Sequence, residues 1–414
     1  KAKINKNIIT IFLMIQLFCD MVGRIFIFLF FLFTSLSNLQ IFGQETDSSS
    51  ILTNIDIQIE ATSAINKMYN YQFDDAEKEF RWLINEYRNH PLPVFLLGLS
   101  TWWKIYANSD NFNYKIQENN YLDKVFLEYM DRAIELSKEI YNSGNIVDGA
   151  FFLSASYGFK GRLLSERKKW RSAAFAGRNA IKYLKEIRKD DIMIPEISFG
   201  NGLFNYYSVW ISERYPILKP IIKLFPAGNK LKGIEQLSSA SNNSFYTRTE
   251  AQYFLMRIYS SEQKISKSLQ LSNYLHDSYP DNSIFHKYYT QNLYRSGKIK
   301  LSSDESRILL KNFRENKFGY NKDEARLAHF IIAERELSIM NFEDAIFNYK
   351  KCIEYSESIG KKKAGYSIYS NFYLGKIFSD LNKIKQSKVY FQEVIKNTKR
   401  KDEINIRSRK FLKK

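Results

Sequence analysis

The four histidines offer the widest range of chemistry in this sequence, but their spacing does not bring them together. None of His90, His276, His286 and His329 pairs with another at a separation of three or four residues, and no His-Glu-x-x-His motif occurs. A helical zinc site depends on such spacing. His276 and His286 flank a turn expected at Pro280. The pattern therefore predicts no metal site.

The glycine and carboxylate patterns also lack catalytic spacing. Gly200-Asn-Gly202 has neither a third glycine nor a preceding strand, so it indicates a helix start or tight packing instead of a phosphate loop. No Gly-Lys-Ser/Thr loop and no Gly-x-Ser-x-Gly elbow occurs. The acidic pairs Asp74-Asp75 and Asp190-Asp191 lie where helices are expected to begin, and carboxylates there cap free N–H groups. We therefore predict no catalytic residue, no cofactor and no enzymatic activity.

The candidate binding residues lie in residues 191–240, which contain four of the seven prolines of the chain. One interpretation places the aromatic residues of this stretch in the core and assigns the prolines to a kinked cross-over between two arrays. The other is an exposed apolar edge with lysines, which docks on a partner or a membrane surface. On the second interpretation the binding side chains are Tyr206, Tyr207, Trp210, Lys219 and Lys223.

A repeated phrase organises the elements that carry these residues. Phe73-Asp-Asp-Ala76 is followed four residues later by Phe80, and Phe342-Glu-Asp-Ala345 is followed at the same distance by Tyr349. A helical pattern precedes and follows each phrase. A small residue where two helices cross, with an aromatic residue one turn later, is typical of a stacked helix hairpin.

Small or apolar residues recur at the same two offsets, twelve and then seven residues. Five sets share them: Ala64, Ala76 and Leu83; Gly161, Ala173 and Ala180; Met256, Ser268 and Leu275; Ala333, Ala345 and Cys352; and Gly375, Ser387 and Val394. The chain thereby resembles the tetratricopeptide repeat (TPR) family, which often also has a proline after the second helix, as at Pro280. The resemblance covers most of residues 55–398, although the hairpins are irregularly spaced and serine twice replaces the usual alanine.

The resemblance implies an all-α, TPR-like helix-hairpin solenoid with a right-handed superhelical twist and an irregular, Pro-containing middle segment. One hairpin cannot bury its apolar stripe alone, so stacked neighbours share a core and leave a concave face. Arrays of this family bind a peptide, a helix or a protein surface there. The low content of glycine and proline, 17 and 7 residues, independently favours helices.

The N-terminal sequence predicts export. Nine consecutive apolar residues, Ile25–Phe33, follow Met21 and Arg24, and a polar sequence begins near Gln44. This arrangement is typical of a secretory signal and resembles bacterial Sec signals, with cleavage expected after Gly43. The run is shorter than the roughly 20 residues that span a bilayer. The alternative joins it to the apolar run in residues 8–18 as an uncleaved anchor.

These patterns divide the chain into seven segments. We expect upstream translation or an over-long gene prediction in 1–20, a signal peptide in 21–43, a disordered leader in 44–54, an N-terminal TPR-like helical array in 55–190, an irregular helical connector in 191–240, a C-terminal TPR-like helical array in 241–398, and a basic tail in 399–414. Beyond the signal the only cysteine is Cys352, so no intramolecular disulfide is expected.

The net charge of +18 is concentrated near the C-terminus, where residues 380–414 contain 12 Lys and Arg but 4 Asp and Glu. One interpretation of this excess of basic residues is a solvated last helix with a basic tail. The other is a segment that binds an acidic surface. We predict an exported scaffold for protein or peptide partners in the periplasm or at the outer membrane of the bacterial cell envelope, without a nucleic-acid ligand. The alternative is a peripheral membrane protein that binds an anionic surface through its basic tail and apolar connector.

Overall fold

The computed structural model describes residues 51–108, 120–187, 194–214, 216, 219 and 227–413. These residues form no strand, so the predicted all-α class is confirmed for the part of the chain that is described. After a 3-10 turn at Ile51–Thr53 the helices are α1 Ile55–Tyr69, α2 Phe73–Glu86, α3 Pro91–Ala107, α4 Asn120–Asn142, α5 Ile146–Glu166, α6 Trp170–Glu186, α7 Ile194–Arg214, α8 Lys230–Asn243, α9 Arg248–Ser261, α10 Ile265–Ser278, α11 Ser283–Arg295, α12 Ile299–Arg314, α13 Lys322–Ser338, α14 Phe342–Ser358, α15 Gly365–Asp380, α16 Ile384–Asn397 and α17 Glu403–Leu412.

Most helix contacts join neighbours along the chain, as in a solenoid of helix hairpins. The chain forms two compact units: the first comprises residues up to Tyr106 together with Tyr114–Ile258, and the second comprises Ala107–Asn113 and Tyr259–Lys414. Among the described helices, none is long and apolar enough to cross a membrane.

The twelve-and-seven offsets mark the positions where the two helices of a hairpin meet. All fifteen residues of the five predicted sets are buried. A sixth set, Thr290, Ser302 and Leu309, has the same offsets and is fully buried in α11 and α12. The Ser302 hydroxyl donates a hydrogen bond to the Thr290 carbonyl at 2.9 Å. Serine therefore replaces alanine without leaving its hydroxyl unsatisfied.

A left-handed residue connects the helices of each of these six hairpins. It lies five positions before the second residue of the set and has φ between 58° and 79°; the six residues are Tyr71, Lys168, Gln263, Gly297, Met340 and Asn382. A left-handed residue commonly ends a helix and reverses the chain. Glycine is the residue usually found in this conformation, yet it occurs in only one of the six turns.

Residues 191–240 contain a further close helix pair, α7 and α8. A Cβ atom added to Gly202 would lie 2.8 Å from Leu237 Cγ, and one added to Gly233 would lie 2.6 Å from the backbone nitrogen of Tyr206. The tight packing predicted around Gly202 is therefore present. Pro195 occupies the first turn of α7, where its missing N–H breaks no helical hydrogen bond.

The described residues at both ends are packed. Leu52, in the predicted leader, is 1% exposed. The predicted basic tail contains α17, whose Phe411 stacks on Phe391 of α16 with ring centroids 4.8 Å apart. Arg407 lies over the ring of Phe372 at 4.8 Å. The helix α17 therefore covers the apolar end of the second unit. The upstream segment, the signal peptide and its cleavage position lie outside the described residues.

Candidate functional site

A groove in the second unit is lined by the first helices of three successive hairpins, α11, α13 and α15. The helix α13 contacts both of the others, and the cavity between them measures about 390 Å³. Its lining is mainly aromatic and consists of Tyr294, Arg326, Phe330, Ala364, Gly365, Tyr366, Tyr369 and Tyr373. We refer to these residues as the tyrosine groove.

Helical spacing brings the rings of the tyrosine groove together. Tyr366, Tyr369 and Tyr373 are separated by three and four residues, so they share one face of α15. The ring of Phe330 on α13 lies 5.0 Å from Tyr366 and 5.8 Å from Tyr294 on α11, measured between centroids. Tyr369 is 44% exposed at the rim. The groove therefore presents a continuous aromatic wall to solvent.

A buried charge network fixes the floor of the groove. The Asp323 carboxylate accepts hydrogen bonds from Lys287 at 2.6 Å, Lys361 at 2.7 Å and Arg326 at 2.8 Å. Burial by itself would raise the pKa of Asp323, but the three cations hold it well below its usual value. The Arg326 guanidinium lies 5.0 Å from the centre of the Tyr366 ring. We call Asp323 and its three cations the Asp323 network.

Three phenol groups of the groove, those of Tyr294, Tyr366 and Tyr373, are neutral. Burial raises the pKa of Tyr366 and Tyr373. Burial and the neighbouring Glu334 carboxylate raise the pKa of Tyr294, whose hydroxyl donates to Glu334 at 3.1 Å. Gln291 donates to the Tyr366 hydroxyl at 2.7 Å. The groove thus offers mainly aromatic surface, with Tyr369 exposed at its rim, and such surface is suited to recognition.

The first unit contains a smaller cavity of about 100 Å³ with an apolar lining. We call it the apolar cavity; its wall includes Phe95, Phe152, Phe159, Leu203, Glu196 and Glu250. Glu196 accepts hydrogen bonds from the backbone N–H groups of Tyr246 at 2.9 Å and Thr247 at 3.1 Å, next to the start of α9. Glu250 accepts from the Trp103 indole at 3.1 Å. Both carboxylates are therefore satisfied internally, and the volume is below the roughly 300 Å³ of ordinary ligand pockets.

The predicted binding residues belong to the first unit. Tyr206 and Tyr207 are buried, with 0% and 5% of their surface exposed, and their ring centroids lie 4.9 Å apart. Trp210 is half-buried and packs on Tyr207 at 6.0 Å. These contacts correspond to the core interpretation of the aromatic residues. Lys219 is exposed, and Lys223 lies outside the described residues.

The structure brings together two histidines that the spacing did not connect. His276 on α10, His286 on α11 and Glu305 on α12 each offer a ligand atom within 4.8 Å of the others. The imidazole rings are stacked with centroids 4.5 Å apart. Burial, and secondarily the neighbouring His286, lower the pKa of His276 to about 4, so its ring is neutral at neutral pH. We call these three residues the histidine cluster.

Sequence reasoning missed both the tyrosine groove and the histidine cluster. The Tyr366-x-x-Tyr369-x-x-x-Tyr373 spacing was a readable signal for an aromatic helix face. It did not reveal which face stays open, because that depends on α11 and α13. The histidine cluster had no local signal, since its members are separated by ten and nineteen residues on three helices.

No protein family model and no curated protein sequence matches this chain. Among solved structures, the chain is similar to the TPR domain of P58(IPK), with 12% sequence identity over 86% of this chain and 98% of that one and a TM-score of 0.25. The helical solenoid fold is visible in the neighbour-by-neighbour helix packing itself.

Proposed function

We propose that this protein is a TPR-like, non-enzymatic interaction scaffold whose tyrosine groove binds an acidic peptide segment with apolar anchor residues. The observation that carries the proposal is the open aromatic groove of about 390 Å³ formed by the first helices of three consecutive hairpins. Stacked helix hairpins present such surfaces on their concave side.

The lining of the groove suits a side-chain anchor. Aromatic residues, tyrosine among them, provide large contact areas, and tyrosine and arginine are enriched where binding energy concentrates in interfaces. The volume lies within the range of about 300–1,000 Å³ that ordinarily holds a compact ligand. A few apolar side chains of a partner peptide would fill it. Tyr369, which is 44% exposed at the rim, would then supply polar complementarity at the edge.

Charge complementarity favours an acidic partner. Residues 259–414, which form most of the second unit, contain 31 Lys and Arg and 18 Asp and Glu, so this stretch carries +13 of the total +18. A positive field steers acidic segments towards the surface and raises their association rate, and this effect weakens as salt increases. Binding is therefore expected to be faster at low ionic strength.

Selection from a displayed peptide library, with the full chain as bait, tests this function. We expect enrichment of acidic peptides with apolar or aromatic anchors. Fluorescence anisotropy with the selected peptides is expected to show Tyr369→Ala raising the Kd about tenfold, the size typical of losing one anchoring contact. Tyr274→Ala is the matched control, because Tyr274 is 51% exposed in the same unit but outside the groove. Failure to enrich any peptide, or equal affinities of the two variants, contradicts the proposal.

We propose the bacterial cell envelope as the site of action. The support is the apolar segment Ile25–Phe33 with its flanking charge and following polar residues, which matches a secretory signal. Expression with a C-terminal epitope followed by fractionation tests this location. A processed chain in the periplasm or on the outer membrane is expected, and an unprocessed cytoplasmic chain contradicts it.

A second candidate function, binding to an anionic membrane surface, has support in the exposed basic surface of α16 and α17. Lys383, Lys385 and Lys388 are exposed beside Ile384 and Val389, which are 48% and 56% exposed. Basic residues next to apolar ones bind headgroups through charge and shallow insertion. Flotation with phosphatidylserine vesicles tests this function. Binding by the full chain that is lost in a Lys383→Glu, Lys385→Glu, Lys388→Glu variant supports it, and absence of binding at low salt excludes it.

A further inference from the structure

The histidine cluster has the donor set of a transition-metal site. His286 Nε2 lies 3.1 Å from Glu305 Oε2, and His276 Nε2 lies 3.8 Å from the same oxygen. Two imidazole nitrogens and one carboxylate oxygen therefore converge on one point. Imidazole and carboxylate together are typical ligands of Zn²⁺ and of neighbouring divalent first-row ions.

A neighbouring phenol orients His286 as a ligand. The Tyr320 hydroxyl lies 3.1 Å from His286 Nδ1, on the side of the ring opposite Glu305. When Nδ1 carries the ring proton and donates a hydrogen bond to the Tyr320 hydroxyl oxygen, Nε2 keeps its lone pair for a metal ion. Hydrogen bonds of this kind fix the tautomer and the ring orientation of metal-binding histidines.

His276 is held in place without a hydrogen bond to its buried nitrogen. Within the described part of the chain, its Nδ1 atom is buried and has no hydrogen-bond partner, while its Nε2 atom lies beyond hydrogen-bond distance of Glu305. Stacking on His286 and Tyr289, with centroids at 4.5 and 5.2 Å, keeps the ring in position. Its Nε2 atom, which faces Glu305 at 3.8 Å, is the atom that a metal ion would engage.

The separations between the donors suit an ion after a small adjustment. Zinc bonds to nitrogen and oxygen at about 2.0–2.2 Å, so donor atoms around a tetrahedral ion lie about 3.3 Å apart. The donors of the cluster lie within 4.8 Å of one another. His286 is 1% exposed, whereas His276 and Glu305 are 16% and 24% exposed, so solvent reaches the site from one side. Three protein ligands would leave a fourth position for water.

We propose that His276, His286 and Glu305 bind a divalent transition-metal ion, with Zn²⁺ the best fit to the donor set. The ion would connect α10, α11 and α12, and so would cross-link three consecutive helices of the second unit. This site is independent of the tyrosine groove. Because an ion that binds only the folded state stabilises it, loading is expected to raise the melting temperature.

Calorimetric titration of the full chain with ZnCl₂, after removal of metals with chelator, tests the site. A Cys19→Ser background keeps that thiol from contributing. We expect one Zn²⁺ per chain and a higher melting temperature that EDTA reverses. X-ray absorption of the zinc-loaded protein should show nitrogen and oxygen neighbours with the scattering pattern of two imidazoles. A spectrum without imidazole, or titration without saturable binding, overturns the proposal.

Substitutions locate the ion. We expect His276→Gln and Glu305→Gln each to weaken Zn²⁺ binding by more than about tenfold. Loss of a hydrogen bond that only supports a ligand costs about 10–100-fold in metal affinity, and loss of the ligand itself should cost at least as much. His329→Gln is the matched control, because His329 is a partly buried histidine of the same unit that bonds to Asn348. Circular dichroism confirms that each variant is folded. If a folded His276→Gln variant binds as tightly as the control, the assignment is wrong.

Discussion

The tyrosine groove and the apolar cavity are both lined by aromatic rings, but they differ in access and in the use of polar groups. The groove measures about 390 Å³ and includes a tyrosine that is 44% exposed. The cavity measures about 100 Å³, and its two glutamates are occupied by internal hydrogen bonds. The groove keeps aromatic surface available to another molecule, whereas the cavity is a gap in internal packing.

The comparison shows why aromatic content alone does not identify a binding surface. Aromatic residues make up 16% of the chain and occur in both units. In the first unit they fill the space between helices. In the second unit three first helices lie side by side with aromatic residues on their open face. The tyrosine groove and the apolar cavity therefore differ in how their helices are arranged. Substitution of an aromatic residue in each of the two places tests this difference.

The largest expected effect is the loss of the floor of the groove. Asp323→Ala removes the acceptor that Lys287, Arg326 and Lys361 share, although Lys287 keeps Glu324 at 2.8 Å, and breaking a buried ion pair costs about 3–5 kcal/mol. We expect the free energy of unfolding in urea to fall by about 5 kcal/mol. Asp304→Ala, at an exposed site on α12, is the control and should change stability by less than about 0.5 kcal/mol. Equal effects of the two changes would show that the network does not hold the floor.

The wall of the apolar cavity should also be essential for stability. Phe152 is fully buried, and Phe→Ala changes in cores cost about 3–5 kcal/mol. We expect a loss of about 4 kcal/mol for Phe152→Ala, measured by chemical denaturation. Phe175→Ala is the matched control, because Phe175 is 66% exposed in the same unit. A small effect at Phe152 would mean that the cavity already tolerates rearrangement, and would make it a candidate ligand pocket.

The same type of truncation at the rim of the groove should separate binding from stability. Tyr369→Ala removes an exposed ring, so we expect the free energy of unfolding to change by less than about 0.5 kcal/mol. Peptide affinity should nevertheless fall about tenfold. Thermal denaturation and anisotropy measured on one preparation test this contrast with Phe152→Ala. A loss of stability as large as that of Phe152→Ala would assign the groove ring to the core.

The smallest effect should be the same in both units, because the turn geometry is shared. Lys168 and Met340 have φ values of 58° and 60°, a conformation that costs a side-chain-bearing residue about 1–2 kcal/mol. Glycine relieves this cost and loses part of the gain to backbone entropy. Lys168→Gly and Met340→Gly should therefore each stabilise the protein by about 0.5–1 kcal/mol in urea denaturation. Destabilisation by either change would indicate that its side chain supports the turn.

The helix hairpins could be predicted because their determinants are local. The small residues at Ala64 and Ala76, or at Ala333 and Ala345, are separated by a fixed number of residues and all four are buried. The hairpin of α11 and α12 was expected only as a helix pair, Ile284–Gly297 and Leu301–Phe313, that fills the gap between recognisable repeats, because threonine and serine occupy its small positions. Residues 191–240 were predicted to be irregular because prolines dominate the pattern, whereas the pairing of Gly202 with Gly233 spans 31 residues.

The groove and the histidine cluster could not be predicted in the same way, because each combines residues from three helices. Asp323 lies 36 residues from Lys287 and 38 residues from Lys361, and only the folded structure places the two lysines beside it. His276, His286 and Glu305 likewise meet only after α10, α11 and α12 have packed. A periodic sequence shows which face of a helix is buried, but it does not show which side chains of other helices lie opposite.

The packing of each helix mainly on its neighbours along the chain has a consequence for how the protein folds. Contacts between residues about twelve positions apart require only short loops to close, and low contact order is associated with rapid folding. Within the second unit, α17 packs chiefly on α16, so amide protons of α17 should exchange first and those of α13 and α14 last. We therefore expect the C-terminal helix to detach and reattach by local unfolding while the helices that form the groove remain folded.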